Sequence, residues 1–138
     1  MMPATTVQEA MIYLMVITSA SDRDMTDDEL ARIGEVVRTW PVFQDFDEEK
    51  LIATAQACQK LLHEEKGLDG VLELAGEVIP DRLHDTAYAA AVEVAAVDLE
   101  MRMEELRVIQ KLRQHLGLDA ETARAIERAA KARHRTLT

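Results

Sequence analysis

The sequence predicts an all-α fold, and three features of its composition favour that fold. Of 138 residues, 48% are hydrophobic, only 4% are aromatic, and 20 are alanine. Alanine and long unbranched side chains favour helices, whereas sheets are rich in β-branched and aromatic residues. Only five glycines and three prolines are present, too few for the frequent turns of a β-sandwich or barrel. We therefore expect a single compact α-helical domain over residues 1–138, with about seven helices.

Hydrophobic periodicity and helix-boundary residues predict where these helices lie. The predicted ranges are residues 5–20, 26–40, 47–65, 68–79, 81–97, 102–116 and 120–134. Thr26 followed by Glu29 is a capping-box pattern at the start of the second helix. Asp47 and Asp119 are typical N-terminal caps for the third and seventh helices.

Proline and glycine mark where four of the helices end. Pro41 and Pro80 follow the second and fourth helices, and proline disfavours a helical conformation in the residue before it. Gly67 and Gly117 follow the third and sixth helices, where glycine is common because it accepts a left-handed backbone. These boundaries leave short connections, so no long linker divides the chain.

The first and fifth helices are apolar on nearly all sides, with Glu93 as the exception in the fifth. Helices of this kind are buried, so we expect both at the centre of the domain. The apolar run Ala10–Ile17 is also too short to span a bilayer, which needs about 20 residues. The first basic residue, Arg23, follows the run, whereas a secretory signal begins with a positive region. We therefore expect a cytoplasmic protein.

An internal repeat is predicted, because a shift of 76 residues aligns segment 16–30 with segment 92–106. Three acidic positions coincide under this shift: Asp22 with Asp98, Asp24 with Glu100, and Glu29 with Glu105. Each half then consists of a buried helix, an acidic loop and an amphipathic helix, giving two hairpins related by the repeat. Chance similarity between two alanine-rich hairpins is the alternative.

The pattern Asp-x-x-apolar-x-x-x-Glu-Leu occurs at residues 22–30 and again at residues 98–106. It resembles the tellurite-resistance TerB-like family, whose members are all-α and carry the pattern at two matching helix hairpins. The similarity covers roughly residues 7–118. The family usually has glycine after the aspartate, where this chain has Arg23 and Leu99. The resemblance implies a non-enzymatic, cytoplasmic protein linked to tellurite or chemical-stress resistance, with its acidic cluster as a cation site.

The two acidic loops supply only oxygen ligands, which suit hard cations such as Ca²⁺ or Mg²⁺ rather than zinc or copper. The candidate metal ligands are Asp22, Asp24, Glu29, Asp98, Glu100 and Glu105. The alternative is that these acids occupy solvated helix starts, where a negative charge contributes about 0.3–1 kcal/mol. That alternative explains Glu29 through the capping box. It explains Glu105 less well, because Arg102 stands where the first copy has Thr26.

The charge balance limits the partners, since 26 acidic and 16 basic residues give a net charge of −10. Nucleic-acid binding needs a basic face and is not expected. Direct binding of tellurite is not expected either, because tellurite is an oxyanion. Residues 106–138 carry eight basic and three acidic residues, so this basic end docks on the acidic body, meets an anionic partner or is simply solvated. The second functional hypothesis is a metal-free interaction module whose acidic surface meets an unknown protein partner; a membrane-associated partner stays open.

No catalytic constellation is recognisable, so we expect no enzymatic activity and no cofactor other than a divalent cation. The histidines lack the spacing of a zinc or di-iron site. Cys58 lies on the apolar stripe of the third helix and is predicted to be a buried, structural thiol. His63 and His84 are predicted on helix surfaces. Segment 40–46 holds three of the aromatic residues and is predicted to fill the core, with an exposed partner patch as the alternative.

Overall fold

The structure, a computed structural model, describes residues 5–20, 25–96 and 103–137. Its α-helices are α1 (Val7–Ala20), α2 (Asp27–Thr39), α3 (Leu51–Leu62), α4 (Gly67–Val78), α5 (His84–Ala95), α6 (Met103–Leu116) and α7 (Ala120–Arg133). Short 3₁₀ turns occupy Pro41–Phe43, Glu48–Lys50 and Asp81–Leu83. Those ranges contain no β-strand, so the predicted all-α fold is confirmed.

Helix α1 lies at the centre of the hydrophobic core. Every side chain from Ala10 to Ile17 is at most 5% exposed. The helix packs most extensively against α5 and also contacts α3, α4 and α6. On α5, Ala87, Ala90 and Ala91 are fully buried, and side chains this small let neighbouring helices approach closely. The expectation that the first and fifth helices are central is confirmed.

The predicted N-terminal caps are present, although one of them starts a different element. The Asp119 carboxylate accepts a hydrogen bond from the backbone N–H of Thr122 at 3.4 Å and caps α7. Asp47 accepts from the N–H of Glu49 at 3.0 Å, but what begins there is the 3₁₀ turn. The α-helix starts only at Leu51 and ends at Leu62, short of the predicted residue 65.

The two glycines predicted as helix stops behave differently. Gly117 has φ +64° directly after α6, and the N–H of Leu118 donates to the carbonyl of Arg113 at 3.3 Å, which is the expected glycine stop. Gly67 also has a positive φ, +49°, but it is the first residue of α4, not the residue that ends α3. The predicted role of Gly67 is therefore wrong. Glycine accepts a positive φ both where a helix ends and where a helix begins beside a tight turn. The sequence alone does not distinguish these two positions.

The boundaries of the two predicted hairpins follow the 76-residue shift to within one residue. Helix α2 begins at Asp27 and α6 at Met103; α1 ends at Ala20 and α5 at Ala95. Glu29 and Glu105 are consequently each the third residue of their helix. The repeat itself stays a prediction.

No helix within the described ranges combines the length and the apolar character that a membrane crossing requires.

Candidate functional site

The predicted acidic site lies largely outside the described residues. Four of its predicted ligands fall in segments that the structure does not describe: Asp22, Asp24, Asp98 and Glu100. For Glu105 the structure describes only the backbone, which lies in the first turn of α6. Glu29 is thus the one predicted ligand whose side-chain contacts can be stated.

Glu29 takes part in the capping box that the sequence predicts. Its Oε1 accepts a hydrogen bond from the backbone N–H of Thr26 at 2.8 Å, and its own N–H donates to Thr26 Oγ1 at 3.2 Å. The residue is only 9% exposed. The capping box satisfies two N–H groups that the start of a helix otherwise leaves unpaired. It also fixes the Glu29 carboxylate at the first turn of α2, shortly after the first acidic segment of the sequence.

Over residues 5–20, 25–96 and 103–137, no three side chains of His, Cys, Asp or Glu lie together in a way that could hold a metal ion. Cys58 is fully buried, with its Sγ 3.7 Å from the carbonyl oxygen of Tyr13. Burial raises the pKa of this thiol to about 12. The prediction of a structural cysteine is confirmed, because a protonated, enclosed thiol is a poor nucleophile.

His84 contradicts the prediction of a surface histidine. It is 8% exposed at the start of α5. Its Nδ1 lies 2.9 Å from the carbonyl oxygen of Leu116 and its Nε2 lies 2.8 Å from that of Ile79. These carbonyls end α6 and α4, so one imidazole ring joins three helices. His63, in contrast, is exposed as predicted.

The basic end of the chain docks on α5 through Glu93. The Glu93 carboxylate accepts from Arg133 Nε at 3.1 Å and contacts Arg133 Nη2, and its Oε1 lies 2.7 Å from His134 Nε2. Burial alone would raise the pKa of Glu93, but the hydrogen bonds from Arg133 and His134 outweigh it and hold the pKa below its ordinary value. Glu93, one of two acidic residues of α5, therefore anchors α7.

A second contact between α5 and α7 lies near the Glu93 ion pair along the two helices. Tyr88 of α5 is buried and its hydroxyl donates to Glu127 Oε2 at 2.9 Å. Burial and this hydrogen bond raise the pKa of Tyr88. Arg113 of α6 lies 3.8 Å from the same carboxylate oxygen. Of the three roles open to the basic end, docking on the body is thus observed for part of α7. Lys111 of the same basic end lies 3.4 Å from Asp69 of α4. The other five cations, Arg107, Arg124, Arg128, Lys131 and Arg135, are exposed.

The connection between α2 and α3 forms a corner that the sequence only partly predicts. We call residues 40–49 the aromatic corner. Phe43 is buried in the core as predicted, whereas Trp40 and Phe46 are half-buried and pack against its edge. Together with the end of α2 they line an open cavity of about 420 Å³. The segment is therefore both core filling and accessible surface.

The described residues form an α-helical domain built around a buried helix, and in the sequence an acidic segment directly precedes both α2 and α6. Residues 8–129 match the family model described as Tellurite resistance protein TerB. The match covers most of the chain, so the chain belongs to this family, as its repeated acidic pattern implies. No curated protein and no solved structure matches it significantly. Family membership supports a domain of the tellurite-resistance type.

Proposed function

We propose that this chain is a non-enzymatic tellurite-resistance domain that binds a divalent cation, Ca²⁺ or Mg²⁺, through its two acidic loops. The observation that carries the proposal is the matched position of Glu29 and Glu105. Each is the third residue of a helix that follows an acidic segment of the sequence. The Glu29 carboxylate turns back toward the start of α2, where it accepts a hydrogen bond from the N–H of Thr26.

The chemistry of the loops supports a hard cation. Each loop with its helix offers at most three carboxylates: Asp22, Asp24 and Glu29, or Asp98, Glu100 and Glu105. Ca²⁺ takes about 6–8 oxygen ligands, so backbone carbonyls and water complete each site. Two carboxylates about 4 Å apart repel by roughly 4 kcal/mol at an effective dielectric of 20, and a cation between them removes this repulsion. Such a site has modest affinity, and Mg²⁺ competes with Ca²⁺.

The test is a thermal-unfolding scan of the chelated protein with Ca²⁺, Mg²⁺, Mn²⁺ or Zn²⁺. A ligand that binds only the folded state adds about 2.7 kcal/mol at 100 times its dissociation constant. We expect the melting temperature to rise with Ca²⁺ or Mg²⁺. The double variant Asp22→Asn, Asp98→Asn should lose most of this rise while keeping its helical content.

A matched control is Glu64→Gln, Glu65→Gln, which removes two exposed carboxylates in the turn after α3. This variant should respond to the cations like the unaltered protein. No melting shift and no calorimetric heat at millimolar Ca²⁺, Mg²⁺ or Mn²⁺ would contradict the metal proposal.

The second candidate is a metal-free interaction module. It is favoured by the capping box, which already gives the Glu29 carboxylate a structural role at the start of α2. In that case the acidic surface meets a protein partner. The cations then leave the melting temperature unchanged in the unaltered protein, in the Asp22→Asn, Asp98→Asn variant and in its control.

A further inference from the structure

We propose that the aromatic corner is a docking site for a basic segment of a partner protein. An apolar side chain of that segment enters the cavity, and a neighbouring lysine or arginine meets the acidic residues at its rim. This proposal concerns a different surface from the acidic loops and is independent of cation binding.

The cavity has the size and lining of a binding site. Its volume of about 420 Å³ lies within the range of about 300–1,000 Å³ that is typical of ligand pockets. Trp40, Phe43 and Phe46 line it. Trp40 and Phe46 keep part of their ring surface exposed, so an incoming apolar side chain gains buried contact area there.

The rim of the cavity is acidic. Two exposed carboxylates, Asp45 and Glu48, line the cavity together with one cation, Arg38. Asp47 and Glu49 are also exposed and lie next to these residues in the sequence, followed by the cation Lys50. In the described part of the chain, only Glu48 of these carboxylates has an ion-pair partner, which is Arg38. Asp45 in the lining, and Asp47 and Glu49 beside it in the sequence, form no ion pair with another described residue, although the Asp47 carboxylate also caps the 3₁₀ turn through the N–H of Glu49. A cation at Asp45 enters the cavity that the Trp40 ring also lines, and the face of that ring attracts positive charge.

The corner is held in one shape before any partner arrives. Gln8 of α1 donates its side-chain N–H groups to the carbonyls of Val42 at 3.2 Å and Gln44 at 3.0 Å. Asp45 adopts a left-handed backbone with φ +70°, the one non-glycine residue in the described ranges with a positive φ. Aspartate accepts this conformation more readily than most residues, which makes it suited to a tight turn of this kind. A preformed site loses little conformational entropy when a segment binds.

The charge of the whole chain selects among possible occupants. A net charge of −10 repels nucleic acid and anionic lipid, and it attracts basic polypeptide. A small inorganic cation would need no aromatic lining. A segment with an apolar side chain beside a lysine or arginine can fill the cavity and pair with the carboxylates at its rim.

Trp40 is the only tryptophan, so its emission reports on the cavity directly. The probe is a fluorescein-labelled peptide with one leucine between two arginines, flanked by glycines. We expect saturable binding by anisotropy and, with the unlabelled peptide, a change in Trp40 emission. Both should weaken as salt is raised. The same peptide with glutamate in place of arginine should not bind.

The decisive variant is Asp45→Asn, Asp47→Asn, Glu49→Gln, in which asparagine still tolerates the left-handed backbone at position 45. Binding should weaken about tenfold, because three rim charges each contribute a few-fold at low salt. Its control, Glu64→Gln, Glu65→Gln, Glu77→Gln, removes the same charge from exposed positions elsewhere and should stay within about twofold. Phe46→Ala should weaken binding without changing its salt dependence.

Three results would overturn the proposal. The first is equal binding to the rim variant and its control. The second is binding of anionic vesicles that depends on the rim residues. The third is concentration-dependent self-association in sedimentation that the rim variant abolishes. That last result would assign the corner to a second copy, whose residues 131–137 carry similar basic and apolar chemistry.

Discussion

Replacing His84 by alanine should destabilise the protein strongly, although nothing at this position suggests so from sequence. The ring fills a buried site where α4, α5 and α6 meet, and its nitrogens face the carbonyls of Ile79 and Leu116 at 2.8 and 2.9 Å. A neutral imidazole carries one N–H and donates to one of these carbonyls at a time, whereas the doubly protonated ring donates to both. Alanine donates to neither.

The expected cost follows from those two acceptors. Leaving a buried carbonyl without a donor costs about 1–3 kcal/mol. The alanine variant loses one donated hydrogen bond of a neutral ring, about 1–3 kcal/mol, or two of a doubly protonated ring, about 2–6 kcal/mol; water entering the vacated space recovers part of that. We therefore expect a loss of about 1–4 kcal/mol, or roughly 3–12 °C in melting temperature for a chain of this length. His84→Asn, which can still donate to one carbonyl, should lose less than His84→Ala.

Urea unfolding followed by Trp40 fluorescence and by circular dichroism measures this loss. His63→Ala is the matched control, because His63 is an exposed histidine just after α3 and should change stability by less than about 0.5 kcal/mol. A His84→Ala variant as stable as that control would refute the account of His84 as the junction of three helices.

Two further predictions concern the Glu93 ion pair between α5 and α7 and the Cys58 thiol of α3. Glu93→Gln should cost about 1–2 kcal/mol at pH 7, a value reduced because Arg133 is half exposed, whereas Arg128→Gln should cost almost nothing. Because the pKa of Glu93 is depressed in the folded state, its contribution is present above the unfolded pKa of about 4.3 and is lost as the pH falls through the folded value. Urea unfolding at pH 7 and pH 3 should thus show the gap between the variant and the unaltered protein closing in acid, and an equal gap at both pH values would contradict the ion-pair account. The Cys58 thiol, with a pKa of about 12, should react with a disulfide reagent far more slowly in the folded protein than after denaturation, and a native rate equal to that of a free peptide thiol would show that it is not enclosed.

Features set by neighbouring residues were predictable from the sequence. The capping box of Thr26 and Glu29 and the glycine stop at Gly117 depend on contacts within a few residues, so their patterns can be recognised directly. The burial of α1 followed from its all-round apolarity. Gly67 was misassigned because a positive φ serves the start of α4 as well as the end of α3.

Features set by distant residues were not predictable. His84 looked like a surface residue because one of its partners, Leu116, lies 32 positions away. The aromatic corner depends on Gln8, which is 34 residues before Val42. For the acidic loops the sequence supplies the candidate ligands and Glu29 supplies one anchored carboxylate. Whether the remaining carboxylates converge on a cation is what the thermal scan addresses.

The central position of α1 has a consequence for synthesis of the protein. This helix is made first, but the helices that enclose it come much later, with α5 beginning at His84 and α6 ending at Leu116. At about 5–20 residues per second, the ribosome needs roughly 5–20 seconds to produce them after α1 is complete. Throughout that interval the run from Ala10 to Ile17 has no native partner on α5 or α6, and exposed apolar segments of this kind promote aggregation or chaperone binding. A longer interval should therefore lower the yield of folded protein in cells, and a larger chaperone supply should raise it.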